Sequence, residues 1–134
     1  MKLLLASHGG LAEGMADVLV NFFGMRNVAF ACVSLERGQG GLVEDVDAFL
    51  ASCEGEQVVI CSDLMGGSAN QAVMPYLARE NTFIVAGMSL PLLLQLAMVD
   101  GDVSSEELRS MVDASREAMV VMNDMTFDLG EDDE

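Results

Sequence analysis

Lys2-Leu3-Leu4-Leu5-Ala6-Ser7-His8-Gly9-Gly10 is an apolar run that stops on a histidine and two glycines. Its aliphatic character fits a strand covered on both faces, and the glycines supply the freedom that a sharp turn needs. His8 is the sole histidine of the chain. A lone histidine is usually a surface residue or a satisfied polar group. Yet a strand that delivers a reactive side chain to a glycine turn and then a helix is how open α/β sheets place chemistry at their carboxyl edge. A second stretch, Val58-Val59-Ile60-Cys61-Ser62-Asp63-Leu64-Met65-Gly66-Gly67-Ser68, repeats the design with a carboxylate. Two parallel strands ending in His8 and Asp63 would bring those side chains together.

Outward from these strands the pattern alternates. Leu11, Met15, Val18, Leu19 and Phe22 recur at helical spacing and mark a first helix ended by Gly24. Residues 28–35 read as a buried second strand, and Gly38-Gln39-Gly40-Gly41 as a flexible loop. Leu42, Val46, Phe49 and Leu50 then mark a second helix, closed by Gly55. Residues 57–62 form the third strand. Ser68 and Gln71 have capping-box spacing and open the helix that carries Val73, Met74 and Leu77.

Residues 82–87 give a fourth strand, and Pro91 suits the first turn of the next helix. Ser104 and Glu107 form another capping box, opening a helix with Leu108, Met111, Val112, Met119 and Met122 on one side. The order predicts an α/β fold: an open, mainly parallel sheet, doubly wound by right-handed crossovers, with helices on both faces. Residues 125–129 fit a short edge strand or an extended tail equally well.

At 134 residues the chain is one domain with room for a core, here residues 1–130, followed by the acidic tail 131–134. A formal charge of −16 with only six Lys and Arg argues against nucleic acid, whose phosphates need clustered cations. Eleven methionines read as adaptable core filler. Cys32, Cys53 and Cys61 make no Cys-x-x-Cys pair and read as reduced thiols of a cytoplasmic protein, with Cys32 and Cys61 in buried strands. No stretch reads as a signal peptide or a membrane span.

Imidazole is nucleophilic near neutral pH, and a carboxylate can hold one ring nitrogen as donor while the other attacks. His8 and Asp63 have the right types. Gly66-Gly67-Ser68 precedes a predicted helix whose first N–H groups lack intrahelical partners, which makes a candidate phosphoryl site. Read alone, the same pair of glycines is an ordinary tight turn. The pattern is neither a Walker A loop nor a dinucleotide fingerprint. One histidine and dispersed carboxylates lack zinc spacing, so neither metal nor cofactor is expected. A Ser–His–Asp hydrolase matches residue types only, since Ser7 adjoins His8 and no Gly-x-Ser-x-Gly elbow is present.

Three segments, in this order and spacing, carry a resemblance: Ser7-His8-Gly9, Asp63-Leu64-Met65-Gly66-Gly67-Ser68 and Ala86-Gly87-Met88-Ser89-Leu90-Pro91. Over nearly its whole length the chain resembles the IIA components of the mannose–fructose–sorbose class of the bacterial phosphoenolpyruvate-dependent sugar phosphotransferase system. The resemblance implies that His8 accepts a phosphoryl group from the phosphocarrier HPr and passes it to a IIB component, serving the membrane IIC and IID permease indirectly. Asp63 would orient the histidine, and Gly9, Gly66, Gly67 and Ser68 would surround the phosphoryl group. It also implies a homodimer formed by exchanging a short antiparallel edge strand, for which residues 125–129 are the candidate. Family members that are fused continue into a IIB domain, so this chain looks like a free-standing IIA subunit. Two alternatives remain open: the phosphocarrier subunit of dihydroxyacetone kinase, and a noncatalytic regulator or ligand binder on the same fold.

Overall fold

A computed structural model describes residues 1–26 and 28–126. Strands β1 (Lys2–His8), β2 (Val28–Val33), β3 (Val58–Ser62) and β4 (Thr82–Ala86) alternate with helices α1 (Leu11–Asn21), α2 (Gly38–Ser52), α3 (Ser68–Val73), α4 (Leu90–Ala97) and α5 (Ser105–Glu117). The strands form one all-parallel sheet in the order β2-β1-β3-β4. The predicted doubly wound sheet is therefore present.

Side chains of a strand alternate between faces, and the two cores follow that rule. Leu3, Leu5, Val59 and Cys61 pack with α1, α4 and α5 on one face of the sheet. Leu4, Ala6, Val58 and Ile60 pack with α2 and α3 on the other. Both central strands are thus covered twice, which is why β1 and β3 read as unbroken apolar runs.

At the amino edge of the sheet, Gln57 is buried and bonds Val103 in both directions: its Nε2 donates to the Val103 carbonyl at 2.7 Å, and its Oε1 accepts from the Val103 N–H at 2.8 Å. This pair ties the start of β3 to the entry of α5. The Ser104–Glu107 capping box forms as expected, with the Glu107 N–H on the Ser104 hydroxyl at 3.1 Å and the Ser104 N–H on the Glu107 carboxylate at 2.9 Å.

Several expectations are corrected. Gly38-Gln39-Gly40-Gly41 is not a loop but the first turn of α2, where Gly41 packs against Arg37. The buried stripe of α1 is Ala12, Ala16 and Leu19, while Leu11 and Phe22 face solvent, because small residues let the helix lie close to the sheet. β2 is an edge strand with Phe30 exposed and Cys32 only half-buried. The methionines are not mainly core filler: Met88 alone is buried, and Met65, Met74, Met98, Met119, Met122 and Met125 are exposed. α3 passes at Met74 into a 3-10 turn, Met74–Ala78, that leaves Leu77 in solvent. α5 ends at Glu117, so Met119 and Met122 lie beyond it. Of the segment 125–129, Met125 and Thr126 belong to neither helix nor strand, and the rest lies outside the described residues.

Candidate active site

β1 sits between the two directions of chain travel, with β2 on one side and β3 on the other, and in open α/β sheets that switch point is where a crevice opens at the carboxyl edge. His8 is the last residue of β1 and pairs in register with Val33, while Ala6 pairs with Ser62 at the end of β3. Asp63 follows directly, its N–H donating to the Ala6 carbonyl at 3.1 Å. Alternation turns Ser7 inward, where its hydroxyl accepts the Ala12 N–H at 2.7 Å and fixes the start of α1. His8 faces outward.

One carboxylate oxygen of Asp63 takes two bonds from His8. Its Oδ2 accepts the backbone N–H at 3.0 Å and lies 2.8 Å from the ring Nδ1. The Asp63 side chain is 9% exposed and that of His8 is 46% exposed, so the carboxylate is sheltered while the ring reaches solvent. The other oxygen, Oδ1, is buried and takes no hydrogen bond among the described residues. Burial pushes the Asp63 carboxyl up, but the bonds from the His8 backbone and ring, with the ring's charge, outweigh it and hold the carboxyl below its ordinary value.

A carboxylate can only accept, so Nδ1 carries a hydrogen, and in the neutral ring Nε2 keeps its lone pair. The Ser68 hydroxyl lies 2.7 Å from Nε2 and donates to it when the ring is neutral. His8 is therefore held from both sides, and its neutral form is restricted to the tautomer that leaves Nε2 nucleophilic. Such a ring can take an electrophilic group on Nε2 and later release it, with Asp63 balancing the positive charge that develops.

The loop from Asp63 to Ser68 brings these partners to the ring. Gly66 adopts φ +79°, a left-handed conformation natural to glycine. Gly67 passes under the imidazole. Three amide side chains hold this loop: Asn70 Oδ1 accepts the Gly66 N–H at 3.0 Å, Gln71 Nε2 donates to the Gly66 carbonyl at 2.8 Å, and Gln39 Nε2 donates to the Ser68 carbonyl at 2.7 Å.

His8, Asp63, Gly67 and Ser68 thus meet at one point. The N–H groups of Gly9, Gly66 and Gly67 are each engaged within the chain, with Val33, Asn70 and Leu64 respectively, so these glycines shape the turns around the ring. The Ser68–Gln71 capping box does not form. Gly67 is the N-cap, Ser68 is the first helical residue, and its hydroxyl is directed to His8 instead. Asn70 escaped the sequence reading, and Gln39 and Gln71 are legible there only as a loop residue and a capping partner, although a buried Asn70 between Ala69 and Val73 on the inner face of α3 is a polar residue that needs an explanation. Leu11, Leu35, Leu64 and Met65, in the segments that follow β1, β2 and β3, stand exposed.

Residues 2–113 match the EIIA-man family, described as the PTS system fructose IIA component. The chain belongs to this family. Solved structures of phosphotransferase IIA proteins share its fold. The mannose/sorbose specific IIA subunit from Enterococcus faecalis superposes with a TM-score of 0.82 at 22% identity, over 94% of this chain and 96% of that one. The PTS IIA protein associated with the fucose utilization operon of Streptococcus pneumoniae gives 0.78 at 21% identity, over 91% and 93%. Component EIIA from Streptococcus agalactiae gives 0.77 at 14% identity, over 92% and 98%. No curated protein sequence matches the chain. Among the described residues of this EIIA-man chain, no helix is long and apolar enough to cross a membrane.

Proposed function

We propose that this IIA protein is a cytoplasmic phosphocarrier that takes a phosphoryl group from phospho-HPr on His8 and hands it to a cognate IIB component, which serves a membrane IIC and IID permease. The observation that carries the reading is the two-sided grip on His8, with Asp63 at 2.8 Å from Nδ1 and Ser68 at 2.7 Å from Nε2. A ring with its hydrogen fixed on Nδ1 attacks through Nε2.

In the transfer, the Nε2 lone pair attacks phosphorus, and the N–P bond of the donor breaks with its electron pair returning to the donor's imidazole. The hydrogen stays on Nδ1 beside Asp63. The Ser68 hydroxyl, displaced from Nε2, turns to donate to a phosphoryl oxygen. Gly9, Gly66 and Gly67 leave room around the group, and delivery to IIB reverses the step. The exposed apolar side chains of Leu11, Leu35, Leu64 and Met65, in the segments that leave the carboxyl ends of β1, β2 and β3, suit a protein donor, since a protein must bury surface to bring its own phosphorylated side chain to Nε2.

Among the described residues β4 has a neighbour on one side only, and the apolar run after α5, Met119 to Met122, is exposed. We take this edge as the place where a second copy adds the segment 125–129 to form the homodimer.

Incubation with phosphoenolpyruvate, enzyme I and HPr should add one acid-labile phosphoryl group, seen by intact mass, and His8→Ala should abolish it. Labelling that persists in a folded His8→Ala variant sinks the assignment.

A further inference from the structure

We propose that Asn70 is a positioning residue for His8, setting the imidazole's tautomer and exposing Nε2 for reaction by fixing the loop that carries both of its partners. Asn70 is 7% exposed and bonds two points of that loop. Its Nδ2 donates to the Ser62 hydroxyl at 2.9 Å, and its Oδ1 accepts the Gly66 N–H at 3.0 Å. Ser62 immediately precedes Asp63, and Gly66 immediately precedes the glycine under the ring and then Ser68.

One buried amide therefore spans the two ends of the segment whose side chains grip Nδ1 and Nε2. Ser62 itself is anchored, because its carbonyl accepts the N–H groups of Gly87 and Met88, both at 2.9 Å. The chain of contacts runs from the end of β3, through Asn70, to the turn. Gln71 and Gln39 hold carbonyls of the same turn but lie exposed, where water can replace them. Asn70 is less readily replaced, since its bond to Ser62 lies in the interior, where both side chains are buried, and the same amide reaches out to the exposed Gly66.

Removing the amide leaves the Ser62 hydroxyl and the Gly66 N–H without it, and the turn relaxes. The Asp63–His8–Ser68 alignment then loosens, and misplacement of a reacting group by about 1 Å slows a reaction on the order of 100-fold. This inference rests on the phosphocarrier reading for its effect on rate, but its effect on the ring needs no donor.

His8 is the sole histidine, so the two imidazole nitrogens are observed directly by nitrogen-15 NMR without assignment ambiguity. In the neutral ring of the parent protein we expect one protonated Nδ1 and one hydrogen-bonded, unprotonated Nε2, read on the alkaline plateau of the titration. Asn70→Ala should average the two signals toward a mixture of tautomers and slow phosphoryl gain from phospho-HPr on the order of 100-fold, with circular dichroism unchanged. Asn70→Leu, close in volume and without the two hydrogen bonds, should do the same and serves if the alanine variant does not fold. A folded variant whose ring signals match the parent overturns the proposal, whatever its transfer rate. Failure of both variants to fold also overturns it, in favour of a purely structural role. Altered ring signals in a protein that phospho-HPr never labels would leave Asn70 as the positioning residue and remove the phosphocarrier reading alone.

Discussion

The Cβ that Gly67 lacks would stand 3.0 Å from Cε1 of His8 and 3.2 Å from the Leu64 carbonyl oxygen. The imidazole rests on this glycine. Its φ is −72°, which any residue adopts, so the requirement is for space under the ring and not for backbone freedom.

Gly67→Ala should therefore fold normally and still disturb the site. The Leu64 carbonyl is backbone and yields little, so the ring must move by a few tenths of an ångström and draw away from Ser68. We expect phosphoryl transfer slowed about tenfold, with a melting temperature close to the parent's. A variant that transfers at the parent rate would show that the close approach of Gly67 has no bearing on His8.

Asp63→Asn removes the charge while keeping a side chain suited to the turn. A hydrogen bond to an ionised group contributes roughly 1.5–3 kcal/mol, so losing it should slow transfer by about 10–150-fold at 1.4 kcal/mol per factor of ten. The pH dependence has a definite sign. The Asp63 carboxyl is held below its ordinary value, so its contribution to stability is fully present above the unfolded value of about 3.9 and is lost as pH falls through the lower folded value. Acid titration of the melting temperature should show a steeper decline in the parent than in Asp63→Asn. Superimposable profiles would contradict the pairing.

Cys61 gives the opposite limb. Full burial in β3 pushes its thiol up to about 12, whereas an unfolded cysteine titrates near ~8.5. Stability from keeping this thiol neutral is complete below the unfolded value and is lost as pH rises toward the folded one. Chemical denaturation of Cys61→Ala should lose part of the alkaline decline between those limits. In native protein, alkylation should reach the half-buried Cys32 well before Cys61. Equal rates at the two would show that β3 is open to solvent.

Much of this molecule is readable before folding because its central strands are local statements. β1 and β3 are covered on both faces, so they appear as uninterrupted aliphatic runs, and the residues that follow them fall by topology on one edge. His8 and Asp63 are adjacent for that reason alone. Ser68 is legible as a residue but not as a contact, since its spacing to Gln71 advertised a cap while its hydroxyl went to the ring. α1 misleads because packing is carried by Ala12 and Ala16, which weigh little in a hydrophobicity pattern, while the bulkier Leu11 and Phe22 face water. The glycines at 38, 40 and 41 suggest a loop by propensity, yet tertiary packing winds them into α2. The clamp of Gln39, Asn70 and Gln71 joins two helices to a loop and depends on side-chain reach, which no periodicity records.

The parallel sheet also separates what this protein must keep from what it is free to change. All four strands end on one rim, and Leu35, Leu64 and Met65, in the segments that follow β2 and β3, stand in solvent outside both packed layers. The opposite rim is closed by the mutual bond of Gln57 and Val103. Those exposed residues can therefore be exchanged without disturbing either the interior or the grip on the histidine, and on the phosphocarrier reading such exchanges would alter the choice of donor and acceptor. In evolutionary terms the chain is a fixed chemical fitting with an interchangeable collar.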